Sequence, residues 1–136
     1  MKAARIAAAV VVGALTGALA GALTFGLDAS LDVGSSFFGL TRNWWPLHAM
    51  VGAAGGAVFG LALGLFLALV RAGNLVTLAV AGLIGGFGAL VLLGMNSDRL
   101  AWNQRSLPAQ IMPLLLSLLI WPLIGVVIRK ITRGRT

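Results

Sequence analysis

"GAAGGAVFGLALG", residues 52–64, places glycine at 52, 56, 60 and 64 inside an unbroken apolar run. In water, glycine within a helix costs about 1 kcal/mol relative to alanine. A four-step ladder of it would weaken any soluble helix. In a bilayer the balance changes. Unpaired backbone groups are so costly in hydrocarbon that the helix stays hydrogen-bonded. Small residues four apart then form a groove that lets a second backbone approach. The ladder therefore reads as the contact surface of a membrane-spanning helix.

The composition agrees. The chain has 136 residues, enough for a single domain, and is 60% hydrophobic with 10% charged residues. Soluble domains hold roughly 45–50% apolar and 25% charged residues. The absence of cysteine excludes disulfides, thiol catalysis and thiolate metal sites. The net charge of +7 is no sign of nucleic-acid binding here, because in a membrane protein the placement of basic residues relative to the spans carries the meaning.

A spanning helix needs about 20 mostly apolar residues. Four stretches qualify: residues 6–27, 46–70, 75–95 and 107–128. The expected fold is an all-α integral membrane protein of four transmembrane helices in one domain covering 1–136. Arg71, Gly73 and Asn74 break the second span from the third, which predicts a tight hairpin there. Pro46 suits the first turn of the second helix, where its missing N–H costs nothing. Residues 28–45 read as a loop on the membrane surface. Trp44 and Trp45 there, and Trp102 in the linker from 96 to 106, are expected to anchor at the interface.

Lysine and arginine are unevenly placed. Lys2, Arg5, Arg71, Arg129, Lys130, Arg133 and Arg135 fall on one side of the four spans, and Arg42, Arg99 and Arg105 on the other with all three acids. This bias puts both termini in the cytoplasm, and the expected location is a bacterial inner membrane. The start of the chain also resembles a leader, with Ala18-Leu19-Ala20 before Gly21 as a cleavage signal. The apolar run continues to Leu27 and favours an intact span.

Glycine ladders recur. The first span carries Gly13, Gly17 and Gly21, the second Gly52, Gly56, Gly60 and Gly64, the third Gly82 and Gly86 with Gly85 beside them. The expectation is close packing of helices 1–3 around the second as shared centre. The fourth span is leucine-rich and holds Pro113 and Pro122, each of which removes a backbone hydrogen bond. It is expected to lie at the periphery.

Chemistry is sparse. No ionisable residue falls near the middle of a span, where one would mark a functional site. The single histidine, His48, lies in the first turn of the second helix. It is expected at the interface bonded to water, headgroup or backbone, with axial ligation of a haem or chlorin as the sharper reading. Asp28 and Asp32 read as members of a solvated loop, and Asp98 with Arg99 as a surface turn. No catalytic or nucleotide-binding motif is present in the sequence. The tail residues Arg129, Lys130, Arg133 and Arg135 set topology, or contact anionic lipid or an acidic partner.

The expected function is a non-enzymatic structural or accessory subunit of a larger membrane complex. Its partners are lipids and other membrane subunits or copies of itself, with no nucleic acid. The alternative is a small homo-oligomeric channel or transporter, supported by glycine-lined faces and the hydroxyls of Thr16, Thr24, Thr77 and Ser117. A weaker alternative is a pigment- or haem-contacting subunit through His48.

Overall fold

A computed structural model describes residues 2–31, 45–96 and 100–133. Trp44, Arg42, Asp32, Asp98, Arg99 and Arg135 lie outside the described residues. Those described form α1 (Lys2–Ser30), α2 (Trp45–Leu69), α3 (Asn74–Asn96), α4 (Leu100–Gln104) and α5 (Leu107–Arg133), with no strand among them. The four longer helices are each long and apolar enough to cross a membrane, the pattern of an all-helical membrane protein. Helix is the expected form for such segments, since it satisfies every backbone group within itself.

α1 and α2 cross through their glycines. A Cβ added at Gly13 would collide with the carbonyl oxygen of Gly60, one at Gly17 with that of Gly56, and one at Gly21 with that of Gly52. At Gly64 it would collide with the carbonyl of Ala9. Each pair of residue numbers adds to the same total, as antiparallel helices in fixed register require. The contact runs over four successive steps with no side chain between the backbones. The large apolar residues of α1, among them Val11, Leu15, Leu19 and Leu23, point outward and are exposed. Bulk on one face and glycine on the other is the arrangement that suits a helix packed tightly on one neighbour in lipid.

The third helix departs from expectation. α3 hardly touches α2 despite the short link through residues 70–73, and docks instead on α5. Gly82, expected to pack, has open space where a Cβ would stand, and a Cβ at Gly86 would meet only Leu118 Cδ2 at 3.9 Å. Gly85 is the glycine of that trio in close contact: a Cβ there would lie 2.6 Å from the Ser117 carbonyl oxygen and 3.2 Å from Trp121 Cβ. The α2–α3 hairpin is therefore splayed. Trp121 fills part of the opening, where it joins the buried cluster with Leu63, Leu67, Ala81, Ile124 and Ile128.

The fourth span is likewise not peripheral. α5 packs against α3, α1 and α2. Its buried residues Pro113, Ser117, Trp121, Gly125 and Ile128 form one stripe at intervals of three or four. Both prolines stand inside a helix that continues past them to Arg133. Gly125 lets Ala81 and Thr77 approach, at 2.9 and 3.3 Å from the place of its missing Cβ. Ser117 Oγ donates to the Gly85 carbonyl at 2.9 Å, an interhelical bond inside the bundle. The leucines of α5 at 115, 118, 119 and 123 face outward. Leucine content marks the outer surface of this helix and says nothing of its inner one.

The α1–α2 contact generates a sharp test. Gly56→Leu or Gly60→Leu forces the helices apart, and overpacking of this kind costs about 1–3 kcal/mol or more. Thermal unfolding of the purified chain in detergent is expected to shift down for both, while Gly82→Leu, set in open space, leaves the midpoint unchanged. Wild-type midpoints at positions 56 and 60 would contradict the close crossing.

Candidate functional site

The described charged groups collect at the two ends of the bundle. At the end holding the α1–α2 linker and α4, the buried stripe of α1 continues from Gly17 and Gly21 through Thr24 to Asp28. α1 runs one turn beyond the span expected from its hydropathy, and Asp28 is 2% exposed. This corrects its placement in a solvated loop. Arg105, just before α5, donates through Nη1 to Asp28 Oδ1 at 2.8 Å and through Nη2 to the Asp28 backbone carbonyl at 2.7 Å. One guanidinium thus closes on both the side chain and the backbone of the last turn of α1. That geometry satisfies a helix-end carbonyl that has no partner within its own helix.

Trp102, expected as an interface anchor, is buried against the protein. It lies on α4, a short helix in a stretch expected to be a polar linker. The Arg105 guanidinium carbon stands 5.1 Å from its ring centroid, within range of a cation–π contact. Gln110 Nε2, on α5, donates to the carbonyls of Trp102 at 3.0 Å and Arg105 at 3.2 Å. The α4–α5 corner is thereby fixed before Arg105 reaches α1. A sequence signal for the pair did exist. Asp28 ends the first span and Arg105 precedes the fourth, so counting spans puts both at one membrane face. What the sequence lacked was any sign that α1 and α5 are neighbours.

His48 lies one turn before Gly52 on the same stripe of α2 and is buried, at 2% exposure. Among the described residues no group of three His, Asp or Glu side chains is placed to hold a metal ion. Trp45, at the start of α2, is exposed. Of the tail, Arg129, Lys130 and Arg133 form the last turns of α5, and Arg133 Nη2 donates to the Ala72 carbonyl in the α2–α3 link.

Between the α1–α2 pair and the α3–α5 pair lies an apolar cavity of about 300 Å³. Phe25, Gly55, Phe59, Phe87, Val91 and Trp121 are among the residues that line it. Phe59 and Phe87 meet across the α2–α3 gap with ring centroids 5.5 Å apart. Its hydroxyls are occupied: Thr24 Oγ1 donates to Ala20 O at 2.6 Å, and Ser117 Oγ to Gly85 O. The cavity suits aliphatic or aromatic groups and presents no ionisable side chain. Compared with known protein families, curated proteins and solved structures, the chain matches none.

A double-mutant cycle tests the Asp28–Arg105 clamp. Removing one partner of a buried pair costs about 3–5 kcal/mol, because a charge is left uncompensated. Asp28→Leu and Arg105→Leu are each expected to lower the unfolding midpoint in detergent, and the double variant to recover part of the loss. Additive losses would show that the two side chains are not coupled.

Proposed function

We propose that this chain is a non-enzymatic accessory subunit of a larger membrane assembly, held there through the outer face of α3, with both termini in the cytoplasm of a bacterial cell. The observation that carries the reading is the open pair Gly82 and Gly86, which no helix of this chain covers closely. Helix association in lipid depends on close backbone approach at small residues. α1 and α2 use their glycines on each other, and α3 turns Gly85 and Gly88 toward Ser117 of α5. Gly82 and Gly86 offer a second helix the kind of groove that α1 and α2 share.

The channel alternative draws less support. Thr16 Oγ1 donates to Val12 O at 2.6 Å and Thr77 Oγ1 to Gly73 O at 2.9 Å. With Thr24 and Ser117 also bonded to backbone carbonyls, these hydroxyls are engaged by the helices. The orientation reading rests on the basic residues Lys2, Arg5, Arg71, Arg129, Lys130 and Arg133 at the end where the termini meet.

Extraction of the full chain in mild detergent is expected to bring other membrane subunits with it. Gly82→Leu/Gly86→Leu is expected to release them without lowering the chain's own unfolding midpoint. A chain that runs alone, or a homo-oligomer that passes solute in liposomes, would overturn the accessory reading. Orientation is testable because the chain lacks cysteine. A membrane-impermeant maleimide should label Ser30→Cys in intact cells, and Arg71→Cys only after permeabilisation. The reverse pattern would invert the topology.

A further inference from the structure

At the end opposite Asp28 and Arg105, the side chains of Lys2, Arg5, Arg71, Arg129 and Arg133 surround one cavity of about 580 Å³. None of the residues lining it is acidic. Three chain segments bring these cations together: the start of α1, the α2–α3 link and the end of α5. The topology rule accounts for basic residues on this side of the membrane. It does not account for their convergence on one hollow, where like charges repel. Helix dipoles explain only part of it. Arg71, Arg129 and Arg133 follow or occupy the ends of α2 and α5, where positive charge is favoured. Lys2 and Arg5 stand in the first turns of α1, where the dipole favours an anion.

The guanidinium of Arg129 gives a more local sign. Its Nε is buried and has no hydrogen-bond partner among the described residues. A buried donor left unsatisfied is costly, and an anion drawn to the same guanidinium would offset part of that cost. The volume lies within the range of roughly 300–1,000 Å³ typical of small-molecule sites, so it has room for more than a single ion. Apart from Thr132, the remaining wall is aliphatic, formed by Ile6, Leu67, Ala68, Val70 and Ala72. A ligand with a multiply charged head and an apolar body matches both surfaces.

We propose that this cavity binds the headgroup of an anionic membrane lipid carrying two phosphates, with Arg5, Arg71 and Arg129 holding the phosphates and the acyl chains leaving along Ile6, Leu67 and Val70. Arginine is suited to the task because its planar fork bonds phosphate oxygens in pairs. Basic pockets between membrane helices are a recurrent form of headgroup site. The site is independent of which assembly the chain joins.

The test uses the full chain in mild detergent, with thermal unfolding followed during titration. The probes are phosphatidylcholine, phosphatidylcholine mixed with cardiolipin, and inorganic pyrophosphate. Cardiolipin is expected to raise the midpoint saturably, with little effect from the other two. Arg5→Gln/Arg71→Gln/Arg129→Gln should move the half-saturating concentration up by about tenfold or more, since each basic group near the surface adds to anionic-lipid attraction. Lys130→Gln, a basic residue of α5 that does not line the cavity, should leave it within about twofold. If the triple variant does not fold, Lys2→Gln/Arg5→Gln at the exposed start of α1 must still weaken the response. Three results would overturn the proposal. These are no saturable response to cardiolipin, an equal loss from Lys130→Gln, or a pyrophosphate response matching that of the lipid, which would make this a site for free anions.

Discussion

The structure depends on one steric condition: along the α1–α2 crossing, no atom larger than hydrogen can stand on the α-carbons of Gly13, Gly17, Gly21, Gly52, Gly56 or Gly60. In water such a contact would be a poor use of helix surface, because burying glycine removes little apolar area. In lipid, burial of side chains supplies no comparable drive, and close backbone packing takes its place. The crossing is repeated at each step of the ladder, so it fixes register as well as proximity. Displacement by a residue would set a side chain such as Val12 or Leu61 against a backbone.

A pair joined so closely leaves the other two spans to solve a different packing problem. α3 and α5 meet through mixed contacts: Gly85 against Trp121, Gly125 against Ala81, and the Ser117 bond to the Gly85 carbonyl. Trp121 is too large to lie within a glycine crossing, and it occupies the space between the two pairs. The apolar cavity beside it and the splay of α2 from α3 follow from that bulk. Polar clamps hold the two ends. Arg105 ties the start of α5 to the end of α1, and Arg133 ties the end of α5 to the α2–α3 link. α5 thus acts as the brace of the bundle, touching every other long helix.

The bundle gives the two membrane faces different chemistry. One face is closed by a buried ion pair and a tryptophan, with the arginine bonded twice to α1. The other gathers cations around a hollow and supplies no acid to its lining. Arg105 is neutralised within the fold by Asp28, whereas Arg129 lines a cavity whose wall holds no acid. That contrast separates a charge that serves folding from charges available to a ligand.

Four apolar helices were legible in the sequence because each span exceeds the length a bilayer requires and lacks internal charge. The glycine ladders of the first two spans were legible as contact surface because spacing along a helix is a local property. The neighbours of α3 and α5 were not. Gly82, Gly85 and Gly86 are one or a few residues apart, and which of them faces inward depends on helix rotation, which their spacing does not set. Pro113 and Pro122 suggested disruption, yet the inward stripe of α5 runs through Pro113. Asp28 and Arg105 stand 77 positions apart in the chain, and neither carries a local sign of the other. By itself the sequence determined which segments enter the membrane, since that depends on the transfer of each segment from water to lipid. Only the tertiary structure decided which helices are neighbours and which charges are spent on each other, because those outcomes depend on shape complementarity between segments distant in the chain.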